Sequence, residues 1–107
     1  MPEEMLQAAA DRFRALSESG RLRLLECLCA GPKSVTDLAQ ATEQTHANAS
    51  KHLAVLAAAG FVDRRRDGNR VLYRLVDDTT TSLCSVICDH VVRTAETGLA
   101  RIRPSRR

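Results

Sequence analysis

The chain has 107 residues, a length suited to one domain around one core. Hydrophobic residues make up 44% and charged residues 27%, a globular composition that excludes an intrinsically disordered chain. Sixteen Lys and Arg against thirteen Asp and Glu leave a formal charge of +3, mildly basic rather than polycationic, and the only aromatics are Phe13, Phe61 and Tyr73, too few for a platform that stacks single-stranded bases.

No apolar run approaches the ~20 residues of a membrane span, and the acidic start Met1-Pro2-Glu3-Glu4 is the wrong chemistry for a signal peptide. The expectation is a cytoplasmic protein without a membrane partner. In that reducing setting the four cysteines are expected to be thiols, metal ligands or redox sensors rather than a disulfide framework.

From Pro2 to Ser17, Met5, Ala8, Ala9, Phe13 and Leu16 recur at the spacing of one helical face. Ser19 is placed to cap a second helix through Ala30, with Leu22, Leu25, Leu28 and Cys29 as its apolar positions and Gly31-Pro32 as its stop. Ser34 starts a third helix to about Ala41, with Asp37 at the capping-box position. Thr45 caps a fourth through Ala59, carrying Leu53, Val55 and Leu56, and Gly60 stops it. Phe61 to Arg66 and Arg70 to Leu75 predict two strands around Asp67-Gly68-Asn69. Asp77, Asp78 and Thr79 can cap a last helix to about Gly98, and a basic tail follows from Arg101 to Arg107. The fold class is mainly α with a small β-hairpin: four helices, two strands and a helix, with residues 1–100 as the domain and 101–107 as a flexible tail.

Charge is concentrated. Residues 61–74 hold five Arg and two Asp, residues 101–107 hold four Arg, and residues 75–100 hold one Arg and four acids. Arg64, Arg65, Arg66 and Arg70 flank the hairpin tip, where guanidinium groups can reach phosphates or a minor groove, or can simply keep a solvated strand edge from aggregating. The third helix, a polar turn and a fourth helix with polar residues in its first half make a helix-turn-helix pattern. His46, Asn48, Ser50 and Lys51 are the groups able to meet base edges and nearby phosphates, with His52 set to contact the backbone or the domain itself. The bland alternative is an amphipathic helix with a polar outer side.

Three stretches together carry a resemblance: Ser34-Val35-Thr36-Asp37-Leu38-Ala39; Asn48-Ala49-Ser50-Lys51-His52-Leu53-Ala54-Val55-Leu56; and Ala59-Gly60-Phe61-Val62 leading to Arg65-Arg66-Asp67-Gly68-Asn69-Arg70-Val71-Leu72-Tyr73-Arg74-Leu75. They look like the ArsR/SmtB family of winged helix-turn-helix repressors. The resemblance implies a homodimer paired through its first and last helices. It implies repression from a palindromic operator on double-stranded DNA and release when an effector binds, with Arg65, Arg66 and Arg70 on the wing-side phosphates. The alternatives are a protein-interaction module on the same fold and a DNA-binding regulator that needs no effector. Without a nucleophile triad, phosphate loop or complete metal motif, no enzyme is expected.

At both of the family's usual metal sites this chain departs from the pattern. Ser34 and Thr36 stand where the third-helix site carries cysteines, and hydroxyls bind soft ions far less well than thiolates. In the last helix Asp77 and His90 match two zinc-site positions while Thr79 and Arg93 occupy the others. Cys84 and Cys88, four apart, share one helical face and could hold a soft metal or metalloid ion, be oxidised, or only pack. Cys27 and Cys29 lie roughly 200° apart on the second helix, with Cys29 expected inside the leucine stripe and Cys27 outside it. They are the other thiol candidates.

Overall fold

The computed structural model describes residues 1–98, and the predicted basic tail at 101–107 lies outside them. The order is α1 (Glu3–Ala15), α2 (Ser19–Leu28), β1 (Lys33–Ser34), α3 (Val35–Ala41), α4 (His46–Ala58), β2 (Val62–Asp67), β3 (Arg70–Leu75) and α5 (Thr79–Glu96). It matches the expected winged helix-turn-helix with one addition, the short strand β1. Residues Met1–Asp77 form one compact unit, and a second begins at Asp78.

The core of the first unit is a leucine cluster. Leu24, Leu25 and Leu28 of α2 meet Leu38 of α3 and Leu53 and Leu56 of α4, closed by Phe61, Val62 and Tyr73 from the sheet. Each fully buried side chain of this size contributes roughly 1.5–3 kcal/mol of transfer free energy before ordering costs.

Local chemistry sets the helix ends. The Ser34 hydroxyl accepts from the Asp37 N–H at 3.1 Å and starts α3, and Thr45 accepts from the Asn48 N–H at 3.0 Å and starts α4. Both helices finish in the same motif. At α4, Gly60 donates to Ala57 O and Phe61 to Leu56 O, with Gly60 in the left-handed region at φ +84°. At α3, Glu43 donates to Gln40 O and Gln44 to Ala39 O, with Glu43 left-handed at φ +57° where glycine is the usual residue. That turn sends the chain from α3 into α4.

The sheet runs β1-β3-β2, antiparallel throughout. Gly68 takes a positive φ of 64° and Asn69 does not, the II′ pattern expected of a two-residue hairpin. Strand β1 pairs Lys33 with Tyr73 and Ser34 with Leu72. Ser34 therefore both caps α3 and joins the hairpin, which fixes the wing against the helix-turn-helix.

Three expectations need correction. Ser19 is the first residue of α2 and not its cap, a place taken by Glu18 in extended conformation, and α2 ends at Leu28 rather than Ala30. The buried stripe of α2 is Leu24, Leu25 and Leu28, so Leu22 and Cys29 are exposed while Cys27 packs against the core. The two stripes share Leu25 and Leu28, and packing in the core selects Leu24 and Cys27 over Leu22 and Cys29. Asp78 stands at the N-cap of α5 without a side-chain cap hydrogen bond.

Two helices expose apolar side chains. On α1, Met5, Leu6 and Phe13 share one side, with Phe13 59% exposed. On α5, Ile87 and Val91 lie on the face that also carries Cys84 and Cys88, and Ile87 is 51% exposed.

Candidate nucleic-acid interface

Helix α4 turns about 100° per residue, so its buried residues fix what faces outward. Ala49, Leu53 and Leu56 point into the core. Opposite them runs the line Ala47, Lys51, Ala54 and Ala58, all exposed. Asn48 is exposed on one flank of that line and Ser50 half-buried on the other, while His46 is exposed at the helix start. The small outward Ala47 and Ala54 escaped sequence reasoning because only hydrogen-bonding groups were sought. Their signal was the spacing from Lys51, minus four and plus three, and alanine at such a position suits a thymine methyl.

His52 turns the other way. Its side chain is 12% exposed, and Nδ1 lies 3.3 Å from the Arg21 guanidinium and 3.7 Å from the Glu18 carboxylate. Arg21, also 12% exposed, reaches Ala15 O at 2.6 Å and Glu18 at 3.2 Å. Of the two roles considered for His52, the geometry gives contact with the domain itself: it anchors α4 to the start of α2.

The register splits the wing arginines between two faces. Arg64 pairs with buried Tyr73 and Arg66 with Val71, which places both on the face that Val62 begins. Arg65 pairs with Leu72 on the opposite face, with Asp67 beside Arg70 and Asp63 beside Arg74. Arg74 donates to Asp63 through Nε at 2.9 Å and Nη2 at 3.1 Å, a bidentate pair. The hydrogen bond from Arg74 holds the Asp63 carboxyl below its ordinary value, and Asp63 in turn raises Arg74. Arg70 lies 3.7 Å from Asp37 in the first turn of α3. Among the described residues Arg64, Arg65 and Arg66 make no ion pair, so their charge is available to a ligand. A groove of about 160 Å³ runs between Pro32, Leu72, Arg65 and Arg66.

The remaining candidates are divided between the two units. The Ser34 hydroxyl is engaged as a cap. Asp77 closes the first unit, while His90, exposed, stands on α5 with half-buried Cys84 and exposed Cys88. Cys29 donates from Sγ to Leu25 O at 3.4 Å. Among the described residues no three His, Cys, Asp or Glu side chains are grouped to hold a metal ion, and no helix is long and apolar enough to cross a membrane.

Two turned helices beside an arginine-tipped hairpin form the arrangement of a winged helix-turn-helix. Comparison with known proteins agrees. Residues 18–64 match the family described as bacterial regulatory protein, arsR family. The HTH-type transcriptional repressor SmtB of Mycobacterium tuberculosis is 35% identical over 95 residues, covering 89% of this chain and 68% of that protein. The crystal structure of M. tuberculosis Rv0081 superposes with a TM-score of 0.82 at 30% identity, covering 92% of this chain and all of that one. The homodimeric winged helix-turn-helix DNA-binding domain of Mycobacterium bovis Mb0332 does so with a TM-score of 0.76 at 28% identity, covering 94% and 92%.

Proposed function

Because this chain belongs to the ArsR family of bacterial regulatory proteins, as a homodimeric DNA-binding transcriptional repressor, we propose that it holds a palindromic operator through α4 and the wing of both protomers and releases it through thiol chemistry on α5. The observation that carries the DNA-contact reading is the outward line of α4 beside three arginines without ion pairs. Asn48 and Lys51, flanked by Ala47 and Ala54, meet base edges. His46 and Ser50 reach the flanking backbone, and His52 keeps α4 seated. Arg65 and Arg66 straddle the hairpin and grip phosphates on either side of it, and Arg70 assists from the tip.

Dimerisation through α1 and α5 buries apolar side chains that those helices expose, Phe13 and Ile87 among them. The effector acts at Cys84 and Cys88. Their four-residue spacing puts both thiols on one face, where they can take up a soft metal or metalloid ion or be oxidised by peroxide or reactive sulfur species. Cys27, packed against the core, and Cys29 are the secondary candidates.

The test is operator release by the purified dimer, measured by fluorescence anisotropy with arsenite, cadmium, zinc, peroxide and a persulfide donor. Release by one of these agents, abolished in the double variant Cys84→Ser with Cys88→Ser, supports the reading. Equal release from the double variant refutes the α5 thiols and leaves DNA binding standing.

A further inference from the structure

We infer that Gln44, in the turn before α4, is a positioning residue that locks the amide of Asn48 in one orientation, so that Asn48 reads adenine. The inference rests on the DNA-contact reading above. It is carried by a chain of hydrogen bonds whose direction is forced at each link.

The Thr42 hydroxyl, buried, donates to Leu38 O at 2.7 Å, which leaves its oxygen only lone pairs to offer. Gln44 Nε2 lies 3.0 Å from that oxygen and 3.1 Å from Gly20 O. Both neighbours can only accept, so the Gln44 amide nitrogen faces them and both its hydrogens are used. Its Oε1 must then face the other way, toward Asn48. An amide oxygen only accepts, and Asn48 answers with Nδ2 at 2.9 Å.

Two further features hold Gln44 in place. Its backbone N–H is bonded to Ala39 O at 2.9 Å by the turn that ends α3. Gly20 offers no side chain, and a Cβ there would come within 3.2 Å of Gln44 Oε1, so the amide lies close over the α2 backbone. Rotating Asn48 by half a turn would set two carbonyl oxygens against each other.

With one N–H committed to Gln44, exposed Asn48 has its Oδ1 and its second N–H left for a base. That is an acceptor beside a donor. In the major groove adenine offers the complement, the N6 amino donor beside the N7 acceptor, whereas guanine offers two acceptors, N7 and O6. An Asn free to rotate would pay no such penalty for choosing either orientation, so the selectivity belongs to the relay and not to Asn48 alone.

The experiment starts from duplexes selected out of a random pool by the native dimer. Each position of the selected half-site is then replaced in turn, with adenine also exchanged for guanine and for 7-deazaadenine, and affinities are measured for native protein, Asn48→Ala, Gln44→Ala, Gln44→Glu and the double alanine variant. We expect one adenine whose replacement by guanine costs the native dimer roughly tenfold or more and costs Asn48→Ala almost nothing. Gln44→Ala loses discrimination at that adenine and at no other position, the salt dependence stays native, and adding Asn48→Ala loses nothing more. Gln44→Glu, which can still accept from Asn48 but cannot donate to Gly20 O or Thr42, behaves like Gln44→Ala. Thermal melting of each free variant establishes that the fold is retained.

Native discrimination in Gln44→Ala, with the Asn48-dependent base unchanged, overturns the positioning role and leaves the DNA-contact reading intact. A guanine or pyrimidine at the Asn48-dependent position overturns the adenine assignment. If Asn48→Ala alters no position, or the native dimer selects no duplex, the DNA-contact reading itself falls and the inference falls with it.

Discussion

Replacing Arg66 by Ala tests the wing at one of its exposed arginines. Arg66 is opposite Val71 in the register and makes no ion pair among the described residues, so its removal leaves no buried group unsatisfied and should change folding stability by less than about 0.5 kcal/mol. On DNA the consequence is larger. Each neutralised phosphate adds about 0.9 to the slope of log affinity against log salt. A homodimer loses two such contacts at once, so the slope should flatten by about 1.8, and a fourfold rise in salt should weaken the native complex roughly 12-fold more than the variant complex. Arg74 is the internal control, because its guanidinium is already committed to Asp63 in a bidentate pair. The assay is an anisotropy titration of one operator duplex at several salt concentrations for native, Arg66→Ala and Arg74→Ala proteins. An unchanged slope for Arg66→Ala, or equal flattening for Arg74→Ala, would refute the assignment of free and committed arginines.

Leu53→Ala removes a fully buried side chain from the seat of α4 and should cost about 2–5 kcal/mol in denaturant unfolding, with a loss below about 1 kcal/mol counting against the core as described. Phe13→Glu places a charge on the apolar side of α1 in both protomers and should weaken dimerisation roughly 100-fold or more in sedimentation equilibrium; an unchanged dimer removes α1 from the interface. The folded pKa of Asp63 lies below its unfolded value, so its contribution to the wing is present above about pH 3.9 and is lost as pH falls through the depressed folded value. Amide exchange in β2 and β3 should therefore accelerate in strong acid for the native protein, and the same acid-induced change in Asp63→Asn would contradict the pairing.

The features that sequence made legible are those encoded within a few residues. Ser34 and Thr45 each sit three positions before the N–H they cap, and Gly60 and Gly68 occupy turns that need a positive φ, so the helix starts, the end of α4 and the hairpin could be placed from neighbours alone. What stayed hidden depends on distant partners. Two residues at Lys33–Ser34 become a strand only because β3 passes beside them, and no run that short carries a periodic signal. The α2 stripe was misjudged because Leu22, Leu24 and Leu25 offer two nearly equivalent faces, and only packing against α3 and α4 selects Leu24 and buries Cys27 rather than Cys29. In sequence His52 is open between the DNA backbone and the domain itself, and Gln44 is one residue of the polar turn before α4; the structure turns both onto α2, by Arg21 and by the carbonyl of Gly20. The wing arginines are legible as a cluster, but their division into paired and unpaired groups depends on the strand register, which sets Arg74 beside Asp63, and on α3, whose Asp37 lies near Arg70.

The measurement that most directly tests the account is hydroxyl-radical footprinting of a selected duplex, with the protein-to-DNA ratio of the same complex fixed by analytical ultracentrifugation. Two chains per duplex, with backbone protections repeated symmetrically about a central dyad and the outermost ones lost in Arg66→Ala, are the predicted result. A single chain per duplex, or protections without a dyad, would contradict it.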